Sequence, residues 1–486
     1  MKTLSVVKAA LGGGAAILLT GFLAAVPAQA AAAGSVPCSP GALSAAITAA
    51  NTAGGGTINL TPGCIYRLTS ADNGENGLPV VMTRIGVNGN GATIDGTSTV
   101  RVLEVDGPGG NLSLQNATIT GGSADIGGGI ENVGGTVTLN HTQVTGNTAT
   151  LAGGGIASAT FDPSSVAKLT LNNSGVTGNS QTAPPPDGLG GGGIVNLLGT
   201  VTLNSSQVSN NSAQGPFGGG IASGDYMNFS GTSSFLTLNN SQVDGNTAPI
   251  AGGGGIQNLL GTATLNSSQV DGNTSLNGGG ISSGPGNGGA QGPATSHLIL
   301  SQSEVNGNTA TAPVPPPGEG APPIAAGGIA NGGNATLNST KVDNNTASFT
   351  SGAGIVNHGT MTLNKSEVNG NTAAGVGLNA SGGGIINAQG PPGTVPTTLT
   401  VNNSEVNNNH ANGDGGGIAN GIPTPGPPPL FGGTVTLNHS QVSGNTAASG
   451  GGIFNFRGTV TLSMTSVTSN TPDNCAPPGS VPGCTG

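Results

Sequence analysis

One pattern recurs twelve times along this chain: x-[TVSI]-[LV]-x-x-[STA]-x-[VI]. In eleven copies it is followed by Gly-Gly-Ile or Gly-Ala-Gly-Ile. One unit reads VTLNHTQVTGNTA (137–149) and then GGGIAS (153–158); another reads VTLNHSQVSGNTA (435–447). Unit starts lie 25 to 38 residues apart. Repetition at this spacing is the mark of a solenoid, because one unit buries too little apolar surface alone and a stack of units buries a continuous core.

Each unit holds three β-compatible runs, TVTL (136–139), TQVTG (142–146) and GGGIA (153–157) in the example above. Alternation puts Val137, Leu139, Val144 and Ile156 on one side. Stacking predicts a Leu column (Leu139, Leu171, Leu203, Leu238, Leu265), a Val column (Val144 to Val270) and an Ile column (Ile156 to Ile281). Strands joined in register by full turns of chain must be parallel, and crossover handedness makes the coil right-handed. The expected fold is therefore all-β, a three-sided right-handed parallel β-helix over 57–472.

Asn marks the corners, in columns Asn140–Asn172–Asn204–Asn239–Asn266 and Asn147–Asn179–Asn211–Asn246–Asn273. A less regular column runs Asn132, Asn196, Asn258, Asn331, Asn357, Asn387, Asn420, Asn455. Asn tolerates left-handed backbone, and its amide can bond the Asn one coil away. Gly146 and its equivalents should supply positive φ beside the second column; Asn210, Asn344 and Asn408 replace that Gly. Corner Asn in N-x-[ST] sequons are read as ladder residues rather than glycosylation sites. Extra residues fall after the Gly-Gly-Ile strand or after the Asn-Thr-Ala corner, so they should form rows of loops. Pro-rich pieces at 184–186, 313–317 and 425–429 make those loops stiff and irregular.

The first thirty residues read as a secretory signal peptide: Lys2 and Lys8, an apolar run from Ala9 to Val26, then Ala28-Gln29-Ala30. Gly12 to Gly14 interrupt that run and count against a membrane anchor, and no later stretch reaches the ~20 apolar residues of a spanning helix. Removing the leader leaves seven basic and nineteen acidic residues, a net charge of −12. No basic patch can form, which argues against a nucleic-acid partner. Export makes disulfides plausible for Cys38, Cys64, Cys475 and Cys484. Of three pairings, Cys38–Cys64 with Cys475–Cys484 is expected, since each pair sits at one end of the solenoid. A metal site is the rival, but no His lies near either pair.

A cap is expected over 31–56, with Ser39 as N-cap, Pro40 at the first helical position, Leu43 and Ile47 on one face, and Gly54-Gly55-Gly56 as the stop. A Cys/Pro tail (473–486) should shield the last coil's edge from pairing.

CSPGALSAAITAANTAGGGTINL (38–60) resembles the N-terminal cap of the pectin lyase-like right-handed β-helix superfamily, and NGNGATIDG (88–96) resembles an early coil. The Gly-Gly-Ile and L-N-x-S-x-V-x-x-N units are similar to repeats of secreted bacterial β-helix proteins related to polymorphic outer membrane proteins. That family's F-x-x-N element stands here mostly as V-x-x-N. The resemblance implies the fold; the superfamily hosts lyases, hydrolases, adhesins and proteins of no known activity.

Carbohydrate-cleaving members use carboxylates on one sheet, with or without calcium and a basic residue. Aligning VLEV (102–105) under GIEN (129–132) places Glu104 and Glu131 in one outward column, one coil apart. Asp106, Asp125 and Arg101 lie near them in sequence. This set suits acid/base chemistry, retaining hydrolysis or weak calcium binding, or is simply the charged end of the solenoid. A second candidate is the loop row with Phe161, Asp162, Asp225, Tyr226, Phe229, His297 and Phe431, where aromatics beside acids suit sugar stacking; packing of the loop on the coil is the plainer reading. Glu304, Lys341, Glu367 and Glu405 should share one outward column, and Asp244 and Asp271 should stack without relief. Thr pairs at 360/362, 398/400, 434/436 and 459/461 would form a flat array of the kind some ice-binding solenoids carry, although Thr also simply favours exposed strand positions.

The residues point to a secreted, rigid, non-catalytic β-helix presenting loops to a polysaccharide or cell-surface polymer. A polysaccharide lyase or glycoside hydrolase using Glu104 and Glu131 is the alternative, and an ice-binding solenoid the minor one. No cofactor is expected, with calcium the one candidate.

Overall fold

The computed structural model describes residues 34–486 except 161, 163, 227–232, 251, 285–295, 312–324, 349–351, 376–379, 390–395, 424–429 and 486. The leader at 1–30 and the Pro-rich pieces at 313–317 and 425–429 lie outside the described residues. From Ser35 onward the chain is a right-handed parallel β-helix. A full coil carries four extended runs where three were expected, for example Thr136–Asn140, Gln143–Thr145, Thr148–Ala152 and Ile156–Ala159. Each run pairs in parallel with its counterpart one coil away, which gives sheets of 26, 10 and 13 strands. The two ladders on either side of the Leu-Asn corner belong to the 26-stranded sheet.

Register follows the expected columns. Leu139, Leu171, Leu203 and Leu238 are successive partners, as are Val144, Val176, Val208 and Val243, and Ile156, Ile194, Ile221 and Ile256. All are fully buried in one core. Complete burial of a side chain of this size contributes roughly 1.5–3 kcal/mol. The added run brings a fourth buried column, mostly Ala, as in Ala310, Ala347, Ala373 and Ala411. It clusters with Ala325 and Ala353 apart from the main core.

The inner Asn column is a saturated ladder. Asn179 Nδ2 donates to Val144 O at 2.9 Å and to Asn211 Oδ1 at 3.0 Å. Its own Oδ1 accepts from the backbone N–H of Asn147 at 3.0 Å and from Asn147 Nδ2 at 2.9 Å. This bonding continues to Asn470. The Gly-Gly-Ile motif follows from it. A Cβ on Gly155 would lie 3.0 Å from Asn179 Cγ and 2.7 Å from Gly193 O, and Gly417 meets Asn445 in the same way. The glycine before each Ile is thus the space into which the ladder amide packs.

The outer column is half-buried and simpler: Asn204 Nδ2 donates to Asn172 Oδ1 at 2.8 Å, and Asn239 Nδ2 to Asn204 Oδ1 at 2.9 Å. Here the left-handed residue is not the ladder Asn, as expected, but the one after it: His141, Asn173, Ser205 and Lys365 have φ of 48° to 50°. The ladder Asn ends a strand and needs extended backbone, so the reversal falls on its neighbour. At the next corner Gly146 (φ 64°) and Asn210 (φ 54°) behave as expected. The third column is an Asn ladder from Asn331 to Asn455, and pairs Asn with Ser earlier, as in Asn196 Nδ2 to Ser223 Oγ at 2.9 Å.

Helix α1 (Pro40–Thr52) buries Leu43, Ile47 and Ala50. Ser39 is its N-cap residue but makes no side-chain capping bond; the first turn is closed by Leu43 N–H to Ser39 O at 3.2 Å. The disulfides are Cys38–Cys64 and Cys475–Cys484. Cys475–Ala476 extends the 13-stranded sheet by pairing with Ile453 and Phe454, and Val481 is buried behind it.

Insertions do not all project as loops. Leu189, Phe217 and Tyr226 pack against Val195, Leu197, Leu198 and Ala222, and Leu430 packs near Ile386, Ala419 and Ile422. The outward column that starts with Glu104 and Glu131 therefore continues as buried Ala157, Val195 and Ala222.

The two ladders should differ in weight. Asn308→Ala strips partners from Val270 O, from two donors of Asn273 and from Asn345 Oδ1, all buried. The cost should be about 3 kcal/mol or more, against about 1 for Asn204→Ala on the half-buried ladder. Denaturant titration gives the totals, and hydrogen exchange should show lost protection at the Asn273 amide in the first variant alone.

Candidate functional site

Parallel pairing of Leu103–Asp106 with Ile130–Val133 sets Glu104 beside Glu131. They share one column as expected, yet their side chains are only 19% and 12% exposed, with Arg101 bonded to both. The Arg101 guanidinium is itself buried. It reaches Glu131 Oε2 at 2.7 Å, Glu104 Oε2 at 3.3 Å and Glu75 Oε2 at 3.1 Å. It also donates to Asn76 Oδ1 at 2.7 Å and to Ile126 O at 3.1 and 2.9 Å. Asn76 Nδ2 closes the network on Glu104 Oε2 at 2.6 Å. One guanidinium thus ties three successive coils.

Glu75 and Asn76 were missed by sequence reasoning. They precede Arg101 by 26 and 25 residues, one coil length, and that spacing was the available signal. Asp106 and Asp125 lie beside the cluster but are exposed. Asp125 enters through its backbone N–H, which donates to Glu75 Oε1 at 3.0 Å.

The Glu131 carboxyl is pushed up to about 7. Burial is the main cause; Arg101 pulls the other way, and Glu104, Glu75 and Asp106 add repulsion. Arg101 is outweighed because its one charge is shared among three carboxylates. Near neutral pH Glu131 can hold or release a proton, as a general acid or base must. Equally, the network is a clamp, since the Arg101 donors are engaged by groups of the neighbouring coils. Among the described residues no group of three or more His, Cys, Asp or Glu is placed to hold a metal ion. The centre of the carboxylate cluster is filled by the guanidinium.

The second candidate set is not brought together. Phe161 and Phe229 lie outside the described residues. Asp162 is exposed and caps Ser164 N–H at 2.9 Å, a bond that holds its carboxyl below the usual range. Asp225 is buried, and the Tyr226 ring lies 4.4 Å from Phe217 rather than facing solvent. His297 is not in a loop but opens the strand His297–Ser301 on an exposed sheet face.

Phe431 does join a cluster. Ile422 N–H to Leu430 O (2.8 Å) and Gly432 N–H to Phe456 O (2.9 Å) fasten its segment to the coil. Its ring then stacks 6.4 Å from Phe456, and Arg457 lies 5.4 and 5.5 Å from the two centroids. Phe456 and Arg457 were missed; the signal was an aromatic-cation pair directly after ladder residue Asn455.

Glu304, Lys341 and Glu367 are successive partners, and Glu405 follows. Asp244 and Asp271 stack, but with relief that was not expected: Gln207 Nε2 donates to Asp244 at 3.2 Å and Asn306 N–H to Asp271 Oδ1 at 3.2 Å. Asp271 is still raised to about 6, by burial first and then by Glu304 and Asp244.

No protein-family model matches the chain, and no curated protein matches it. Among solved structures, the chain is similar to the A-module of mannuronan C-5 epimerase AlgE6 from Azotobacter vinelandii. Identity is 14%, the alignment covers 90% of this chain and 95% of that one, and the TM-score is 0.37. A likeness at this level does not speak to activity.

A carboxyl raised on folding favours the folded state while protonated. Its contribution is full below about pH 4.5 and lost as pH rises through about 7. In thermal melts from pH 4 to 8, wild type minus Glu131→Gln should show a decline of up to about 3 kcal/mol across that window. Asp271 titrates in both proteins and cancels in the difference.

Proposed function

We propose that this chain is a secreted, rigid, non-catalytic β-helix that holds an extended polysaccharide at its surface. The observation that carries the reading is the Phe431, Phe456 and Arg457 cluster: two half-buried stacked rings under an exposed guanidinium. Aromatics are only 2% of the chain, so two at one corner are a concentration of the group that packs on pyranose rings. A cation held over them favours a sugar bearing carboxylate or sulfate. The stacked coils keep these groups fixed, which limits the ordering cost of binding.

The alternative, hydrolysis or lyase chemistry at the first coils, draws support from one observation, the Glu131 carboxyl raised to about 7 beside Glu104. In that reading Glu131 exchanges the proton and Glu104 supplies the second carboxylate. Arg101 is a positioning residue in either case.

One polysaccharide panel separates the two. The full chain should be retarded by acidic polysaccharides in affinity electrophoresis, with no release of unsaturated or reducing ends. Phe456→Ala and Arg457→Ala should each weaken retardation by roughly tenfold, about 1.4 kcal/mol. Retardation that both variants keep in full would remove this surface from consideration. Release of new ends by the wild type, abolished in Glu131→Gln with the fold intact, would establish the enzyme instead.

A further inference from the structure

The 26-stranded sheet carries a feature the polysaccharide reading does not use. Its outward face is a grid of threonines. One column passes through eleven coils from Thr138 to Thr461, Thr at every step except Ile299. A second column, two residues upstream on the same strands, is Thr in the last four coils: Thr360, Thr398, Thr434 and Thr459. Register from Thr136–Asn140 to Thr459–Ser463 runs without a bulge.

Three properties make this more than ordinary strand composition. None of these Thr hydroxyls gives or takes a hydrogen bond within the described protein, although Thr and Ser hydroxyls one corner away, such as Thr340 and Ser366, are bonded to backbone. The grid hydroxyls therefore keep their hydrogen-bonding capacity for what lies outside. Second, β-branching restricts χ1, so each Thr has few ways to place its methyl and hydroxyl. Third, the Asn140-type ladder runs along the same strands, and side-chain ladders of this kind keep a stacked sheet flat. Charge is sparse: Lys168 and His297 both fall in the second column, and both precede the all-Thr coils.

The grid spacing is about 4.8 Å between coils and about 6.6 Å between alternate residues. Its complement must be uncharged, repeat in two dimensions, and satisfy fixed hydroxyls while covering fixed methyls. We propose that this face binds ice. Water ordered over the methyls and bonded to the hydroxyls takes the repeat of the coils, and an ice surface extends that repeat indefinitely. A crystalline polysaccharide would offer a repeating face too, but its apolar pyranose faces call for aromatic partners, and the all-Thr coils carry none in the two columns.

The full chain should be assayed by nanolitre osmometry and by incorporation of the labelled protein into a growing ice hemisphere. Wild type should facet ice and enter it. Thr362→Tyr with Thr400→Tyr breaks the grid with a residue that strands accept. That variant should keep the wild-type circular dichroism and melting point and lose ice incorporation to background. Thr177→Tyr, on the neighbouring ladder off the grid, and Phe456→Ala should both retain it. A folded wild type excluded from ice overturns the proposal, as does full incorporation of the double variant. Pull-down by microcrystalline cellulose or chitin that Phe456→Ala keeps and the double Thr variant loses, without entry into ice, overturns it as well and assigns the face to a sugar lattice.

Discussion

The buried Asn ladder is the interaction on which the rest of this solenoid depends. Each inner-column Asn fills all the hydrogen-bonding capacity of its amide inside the protein, partly with the next Asn and partly with backbone groups that the corner would otherwise leave bare. A buried amide is costly unless it is satisfied, and here satisfaction requires a neighbour in strict register. The ladder therefore does what apolar columns cannot. Leu on Leu tolerates a shifted neighbour, whereas an amide whose partner has moved one residue is left unbonded. The glycines before each Ile are part of the same device, because a side chain there would displace the amide.

Once register is fixed, the outward faces are fixed too, and they differ. The face over the Ile sheet is largely covered by the chain's own insertions, with Phe217 and Tyr226 packed near Ala222 and Leu430 packed near Ile386. Its first coils are charged, and there Arg101 gathers Glu75, Glu104 and Glu131. Breaking such a network by removing one partner strands a buried charge. The same geometry that raises Glu131 is thus what makes the cluster an effective tie between coils. Among the described residues no insertion packs on the Thr face, and its regularity is the direct consequence of the ladder beneath it.

The aromatic corner at Phe431 shows how an insertion acquires a role. The segment is fastened by main-chain bonds to Ile422 and Phe456, so its ring is placed by the solenoid rather than by the loop itself. Tyr226, in an equivalent insertion, went the other way: its ring found Phe217 and became packing.

Much of the fold was legible in the sequence, for a physical reason. In a solenoid every contact of one coil is repeated in the next, so periodicity alone reports which residues are neighbours. Leu139 over Leu171, Glu104 beside Glu131 and Asn147 on Asn179 all follow from counting. The disulfide pairing followed from position at the two ends. What counting could not supply was anything outside the repeated motif. Glu75 and Asn76 stand one coil length before Arg101, but their segment carries no copy of the repeated motif, so the spacing alone did not single them out. Whether a ring in an insertion faces water or the coil depends on packing volumes that no pattern records, as Tyr226 and Phe431 show. The protonation of Glu131 is likewise tertiary: the residue type sets an ordinary carboxylate, and burial under a shared guanidinium moves it to about 7.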